Sequence, residues 1–295
     1  MTTTLVTGSA GFVGGYLCRA LRGRGDVVVD YDLRFGQDIR DYEKLRAAVD
    51  LHQPDLIFHL AAQAYVPEGT SDPRRVFDVN LTGSLNLLEA VRQTGSRARV
   101  LLAGTSEEYG YDHAEITEDA PCRPTTPYGV SKLAAGQLGL AYSRLYGIPV
   151  VVTRTFNHTG PGHPATYAIP AFAERVAKVE AGIRPAVEHG NLQAVRNYTD
   201  VRDIVDAYLL AIDLPSDVYN LCSEYTVSLQ WVLDTLIGLA RQPLETKLDG
   251  SLYRSGSPHF PSVSAEKFAA MTGWKPRIPL ERTLADVLNY WRAML

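Results

Sequence analysis

Cysteine is scarce in this chain of 295 residues: Cys18, Cys122 and Cys222 are far apart and odd in number. Their spacing excludes a disulfide framework and a cysteine-ligated metal site, and it fits a reduced cytosolic protein. An excess of positive charge is also lacking. With 33 acidic and 29 basic side chains the formal net charge is −4, so neither nucleic acid nor an anionic membrane is an expected partner. No apolar run approaches the roughly 18 residues of a membrane span. The opening Met1-Thr2-Thr3-Thr4-Leu5-Val6-Thr7 has neither the basic start nor the apolar stretch of a secretory signal. Repeats and low-complexity segments are missing too. These absences predict a cytoplasmic globular protein in which any bound anion is held by local groups.

What is present is a regular alternation. Through the first half, short apolar runs alternate with amphipathic stretches, the pattern of β-α-β units around a parallel sheet. Strands are expected near Thr4–Thr7, Val27–Tyr31, Leu56–Leu60, Val100–Ala103 and Val150–Thr153, and helices over Gly11–Arg22, Tyr42–His52, Pro73–Gln93 and Pro127–Tyr146. In the last of these, Leu133, Leu138, Ala141 and Leu145 recur at helical spacing. The fold class that follows is α/β, a Rossmann-type doubly wound parallel sheet. Only about six residues separate the second strand from Asp38-Ile39-Arg40-Asp41, too few for a full helix and strand, so the third strand is expected to be truncated or missing. After residue 155, helices near Ala168–Ala181, Ser228–Ala240 and Leu280–Arg292, a strand end plus helix over Asp200–Asp213 and a strand at Val218–Leu221 suggest a smaller α/β lobe. We expect residues 1–157, with 197–221 returning to them, to bind a dinucleotide, and residues 158–295 to bind the substrate.

Thr7-Gly8-Ser9-Ala10-Gly11-Phe12-Val13-Gly14 lies between a strand and a helix, where backbone N–H groups at the positive end of the helix can meet a pyrophosphate. Gly8 would allow the tight turn, Gly11 the approach of phosphate and Gly14 the packing of helix on strand, with Phe12 and Val13 completing the cofactor-facing turn. Asp32, closing the second strand, is placed to bind the adenosine ribose hydroxyls, which favours NAD over NADP. Asp30 is the competing carboxylate, and Arg34 could instead meet a 2′-phosphate. Asp38 and Ile39 are expected to flank the adenine. The small residues in His59-Leu60-Ala61-Ala62-Gln63 leave room for the cofactor backbone.

Tyr128 and Lys132 are four apart at the start of a helix and share one face. An ammonium beside a phenol stabilises the phenolate and pulls its pKa down from about 10, so Tyr128 is a candidate general acid or base. If the segment after the fourth strand is extended, Thr105 and Glu107 project from the same side and converge at the carboxyl end of the sheet, where open α/β folds bind ligands. His158 and His163 lack a third partner for zinc. Trp231, Trp274 and Trp291 are most simply core or interface aromatics.

Thr7–Gly14, Thr105 with Tyr109-Gly110, and Tyr128 with Lys132, in this order, resemble the extended short-chain dehydrogenase/reductases that act on nucleotide-diphosphate sugars. The resemblance implies that Tyr128 is the acid or base, that Lys132 lowers its pKa and holds the nicotinamide ribose, and that Thr105 hydrogen-bonds the reacting sugar oxygen. It further implies that Asn157 contacts the substrate diphosphate and that Arg196 and Arg254 bind its phosphates. Through Glu107-Glu108-Tyr109-Gly110, Arg154–Gly162 and Gly190-Asn191-Leu192 the likeness runs furthest with members that use NAD(P)H to reduce the C4 ketone of GDP-4-keto-6-deoxy-D-mannose. In 4,6-dehydratases the counterpart of Glu107 removes the C5 proton, so dehydration, or 4-epimerisation with a retained cofactor, is the rival reaction. A non-catalytic dinucleotide-binding regulator is a third reading, opposed by the presence of both Tyr128 and Lys132. Family members commonly pair the Tyr128 helix in a homodimer, and its small residues Ala134, Ala135, Gly136 and Gly139 would let another helix approach closely.

Overall fold

The computed structural model describes residues 1–110, 113, 115–223, 225–252 and 262–295. Among them β1 (Thr3–Thr7), β2 (Val27–Tyr31), β3 (Leu56–His59), β4 (Arg99–Ala103), β5 (Val150–Thr155) and β6 (Val218–Leu221) form one parallel sheet in the order β6-β5-β4-β3-β1-β2. The alternation of side chains across a strand explains how both faces are buried. Leu5, Ile57, Val100, Leu102, Val150 and Val152 point to one face, under α2 (Tyr42–His52), α3 (Gly83–Thr94) and α4 (Pro127–Tyr146). Val6, Phe58, Leu101, Val151 and Leu221 point to the other, under α1 (Phe12–Gly23), α6 (Val201–Ala211) and α8 (Glu266–Thr272). Each such side chain, fully buried, contributes about 1.5–3 kcal/mol to folding.

The strand β2 is the last in the sheet, and the chain passes from it through a single short turn, Leu33–Phe35, to α2. The third strand, expected to be truncated or missing, is absent from this stretch. The expected Pro73–Gln93 helix is present, helical from Pro73 to Thr94 with a wider π segment at Asp78–Thr82 in which Asn80 is buried. A separate apolar cluster lies between α5 (Ala168–Glu180), α7 (Leu229–Gly238) and α9 (Leu280–Ala293), built on Phe172, Val176, Leu233, Leu236, Leu284 and Leu288. Trp231 and Trp291 pack on it, whereas Trp274 is buried beside Phe268 against the main sheet.

The helix α4 opens on Thr126, whose hydroxyl accepts from Gly129 N–H at 3.0 Å, and on Pro127, which needs no N–H partner there. It ends at Gly147, φ +71°. Its buried face is not the leucine stripe of the sequence. Leu145 is exposed, and the residues pressed on the sheet are Lys132, Ala135, Gly136, Gly139 and Tyr142. A Cβ on Gly136 would stand 3.1 Å from Val152, and one on Gly139 would drive into Leu102. Close approach to the chain's own sheet requires small side chains at these positions.

Candidate active site

Because every strand of the sheet runs the same way, the segments after β1, β2, β3, β4 and β5 gather at one edge. Gly8, at φ +72°, donates its N–H to Tyr31 O at 2.8 Å, and a Cβ on it would lie 2.7 Å from Ala61 N. Leu60 and Ala61 therefore close on the glycine turn directly, with Leu60 N–H bonded to Thr7 O at 3.1 Å and Ala61 N–H to Thr7 Oγ1 at 3.3 Å. Gly11 caps α1 in extended conformation, and Gly14 lies so close under Gly8 that a Cβ would collide with the Gly8 carbonyl oxygen. Ser9 Oγ, buried in the same turn, has no hydrogen-bond partner among the described residues. An orphaned hydroxyl among N–H groups at a helix start suits the oxygens of a dinucleotide diphosphate.

Of the two candidate carboxylates, Asp32 faces this turn. Its Oδ2 accepts from Ala10 N–H at 3.0 Å and its Oδ1 from Arg34 N–H at 2.9 Å. Asp30 instead pairs with Arg22 on α1. Arg34 is exposed beside Asp32. Asp38 is bound to Arg40, which also reaches Asp78 at 3.2 Å. Ile39 is wedged in the core under Gly83, so its side chain anchors the 38–41 segment rather than meeting a ligand.

At the end of β4 the expected extended run is absent. Thr105 is extended, φ −154°, but Ser106–Glu108 forms one turn of 3-10 helix. The cause is a capping box: Thr105 Oγ1 accepts from Glu107 N–H at 3.3 Å, and Glu108 Oε1 accepts from Thr105 N–H at 2.9 Å. The turn still keeps Thr105 and Glu107 together. A Cβ on Gly129 would be 2.6 Å from Glu107 O, so the start of α4 lies directly on this turn.

There the Thr105 hydroxyl lies near enough to the Tyr128 phenol to favour its ionised form. Burial pushes that phenol above its ordinary value; the Thr105 hydroxyl opposes the rise, while Tyr167, Glu107 and Glu108 add to it. The depressed tyrosine expected from its lysine neighbour is not what this arrangement produces, and at neutral pH Tyr128 is a phenol with a proton to give. Lys132 is buried and donates from Nζ to Ala103 O at 2.6 Å. Burial lowers it to about 8, against the opposing pull of Glu108.

On the substrate side, Asn157 and Arg196 line one hollow with Tyr65, His158, Tyr167 and Tyr198. A second shares Tyr167, Arg196 and Tyr198 and runs on to Arg175, Asn191 and Leu229. Arg254 lies outside the described residues. His163 stacks between Phe12 of the glycine turn at 4.4 Å and Tyr167 at 4.3 Å, and burial pushes its imidazole down to about 3, keeping it neutral. Among the described residues no group of three His, Cys, Asp or Glu side chains could hold a metal ion.

Sequence reasoning passed over three features. Glu108, more buried than Glu107, is one, although Thr105-x-x-Glu108 is a readable capping-box signal. A second is the Asn80 amide, which donates to Ser131 Oγ at 3.0 Å, while that hydroxyl donates to Tyr128 O at 2.8 Å. The third is buried His59, between Thr7 Oγ1 at 2.7 Å and Ser84 Oγ at 3.1 Å, with its pKa pushed down to about 3 by burial.

A parallel sheet whose edge gathers a glycine turn, the Asp32 carboxylate and the Tyr128 and Lys132 side chains has the form of a dinucleotide-dependent dehydrogenase of the short-chain class. More closely, the chain belongs to the NAD dependent epimerase/dehydratase family, whose profile matches residues 4–222. Its relatives are enzymes of nucleotide-sugar conversion, and the family binds NAD(P). The chain is 33% identical to GDP-6-deoxy-D-mannose reductase of Pseudomonas aeruginosa over 98% of its own length and 96% of that protein's. It is 31% identical to UDP-glucose 4-epimerase of Lacticaseibacillus casei, over 93% and 92% respectively. The solved structure of RMD from Pseudomonas aeruginosa complexed with NADPH superposes with a TM-score of 0.91 at 31% identity, covering 100% of both chains.

Proposed function

We propose that this protein reduces the C4 ketone of a nucleotide-diphosphate 4-keto-6-deoxyhexose, with GDP-4-keto-6-deoxy-D-mannose as substrate. The observation that carries the reading is the half-buried Tyr128 placed beside the Thr105 hydroxyl, with desolvation raising the phenol's pKa, since reduction needs a proton donor at the ketone oxygen. The bound NAD(P)H supplies the hydride. Tyr128 gives its proton to the oxygen as charge develops there, Thr105 orients that oxygen, and Lys132, cationic below about 8, stabilises the phenolate left behind. Asn157 and Arg196 hold the diphosphate, Arg196 by charge-assisted bonds. In this division of labour residues 1–157, with 197–221, serve the dinucleotide and 158–295 the sugar nucleotide. The similarity to the Pseudomonas aeruginosa reductase over nearly the whole chain supports the same reaction.

A second reading has one observation in its favour. Glu107 is half-buried and close enough to Tyr128 to raise its pKa, which is where a base for C5 deprotonation in a 4,6-dehydratase would stand. The two are separated by offering the enzyme GDP-4-keto-6-deoxy-D-mannose with NADH or NADPH, and separately GDP-mannose with NAD or NADP. The reductase reading expects one coenzyme oxidised per keto sugar consumed. Conversion of GDP-mannose with no net coenzyme change would replace it with the dehydratase.

A further inference from the structure

Beneath the Tyr128–Lys132 pair lies a second pair of charges that the proposed reaction does not itself consume. Glu108 and Arg154 are 1% and 4% exposed, and Arg154 Nε donates to Glu108 Oε2 at 2.7 Å. The other carboxylate oxygen accepts from Thr105 N–H at 2.9 Å. Gly104 makes the space for it: a Cβ there would stand 2.5 Å from Glu108 Oε1 and 2.7 Å from Thr153 O. With Lys132 Nζ on the carbonyl of Ala103, the ammonium, the 103–105 backbone and the carboxylate form one buried cluster. Arg154 lies 4.6 Å over the Tyr109 ring, whose hydroxyl donates to Asn220 Oδ1 on β6 at 2.7 Å. The anchor therefore spans β5, the turn after β4, and β6.

Buried ion pairs are seldom the most stabilising solution, because apolar residues of similar volume often serve the fold as well. A pair kept directly under the reacting groups calls for another reason. We propose that Glu108, held by Arg154, is a positioning residue: its carboxylate fixes the Thr105 backbone so that the hydroxyl meets Tyr128, and it supplies the counter-charge to the Lys132 ammonium. The roles of Thr105 and Tyr128 in this statement rest on the catalytic reading above; the effect on Lys132 does not.

The titratable groups that face Glu108 are Arg154 and Lys132, with Tyr109, Cys122 and Tyr128 around them. Burial lowers Lys132 to about 8 and Glu108 opposes that fall. Removing the carboxylate makes the ammonium harder to keep, so Lys132 should lose its proton at lower pH.

The test titrates Lys132 by NMR in the full chain carrying 13C-labelled lysine, its resonance assigned with Lys132→Arg. The wild-type midpoint should lie near 8. It should fall by about one unit in Glu108→Gln and in the double variant Glu108→Leu with Arg154→Met, which removes both charges and leaves neither unpaired. A midpoint that stays put in both overturns the proposal. In the double variant kcat for the keto sugar should drop about tenfold or more with KM unchanged; a folded double variant with wild-type kcat overturns the positioning role. If neither variant folds, Glu108→Asp keeps the charge and shortens the reach, and should lower kcat while the Lys132 midpoint stays near 8; unchanged kcat there overturns it. Failure of the reductase reading would appear separately, as a wild-type enzyme inactive on the keto sugar whose Lys132 still responds to Glu108.

Discussion

At the end of β1 the site is made of backbone and of space, whereas at the end of β4 it is made of buried side chains. Gly8, Gly11 and Gly14 contribute no functional group; they contribute room, and the donors are N–H groups that any sequence would carry if it could adopt the turn. Thr105 contributes a hydroxyl, and Glu108, Tyr128 and Lys132 contribute titratable groups whose pKa values are shifted by burial and by their neighbours. The first region is governed by sterics and the second by desolvation. Substitutions should therefore fail differently in the two: by loss of fold and coenzyme binding at the glycine turn, by loss of chemistry at the tyrosine end.

The largest effect expected is at the tyrosine end. Tyr128→Phe should lower kcat by about 10²–10⁴-fold while coenzyme affinity, read by quenching of protein fluorescence, is unchanged; comparable activity would remove Tyr128 from the chemistry. Next comes Gly14→Ala, whose Cβ collides with the Gly8 carbonyl. We expect a loss of about 1–3 kcal/mol in denaturant unfolding, accompanied by weakened coenzyme binding, and a stable variant with normal binding would erase the contrast between the two regions. The smallest effect tests the carboxylate that links turn and coenzyme. Asp32→Asn keeps an acceptor for the turn but removes the charge that favours a free ribose hydroxyl over a 2′-phosphate. The ratio of kcat/KM for NADH over NADPH should fall about tenfold, a difference of about 1.4 kcal/mol; an unchanged ratio would assign the choice to Arg34.

The same contrast explains what could be read from the sequence. The glycine turn, Asp32 and the missing third strand were legible because each follows from local rules of turn geometry, strand ends and loop length. The positions of Tyr128 and Lys132 were legible too, through helical spacing. Their electrostatics were not, since the shift of the phenol depends on its burial and on its nearness to Thr105 and Tyr167, which are brought together only by the fold. Two adjacent glutamates look alike in sequence, and it took Arg154, 46 positions on, to mark Glu108 as the buried one. The residues that press α4 on the sheet were not legible for a related reason. Periodicity finds the large apolar residues, but the sheet lies so close beneath this helix that Gly136 and Gly139 form the contact.

The end of the sheet at β2 has an engineering corollary. The wall that would border the adenosine is a loop hung on the outermost strand, with no strand paired beyond it among the described residues. It is tied down by Asp32 on the glycine turn and by Ile39 under Gly83. If Asp32 and Arg34 set the coenzyme choice as expected, that choice resides in a segment outside the groups around Tyr128, a replaceable cassette separable from the chemistry it serves.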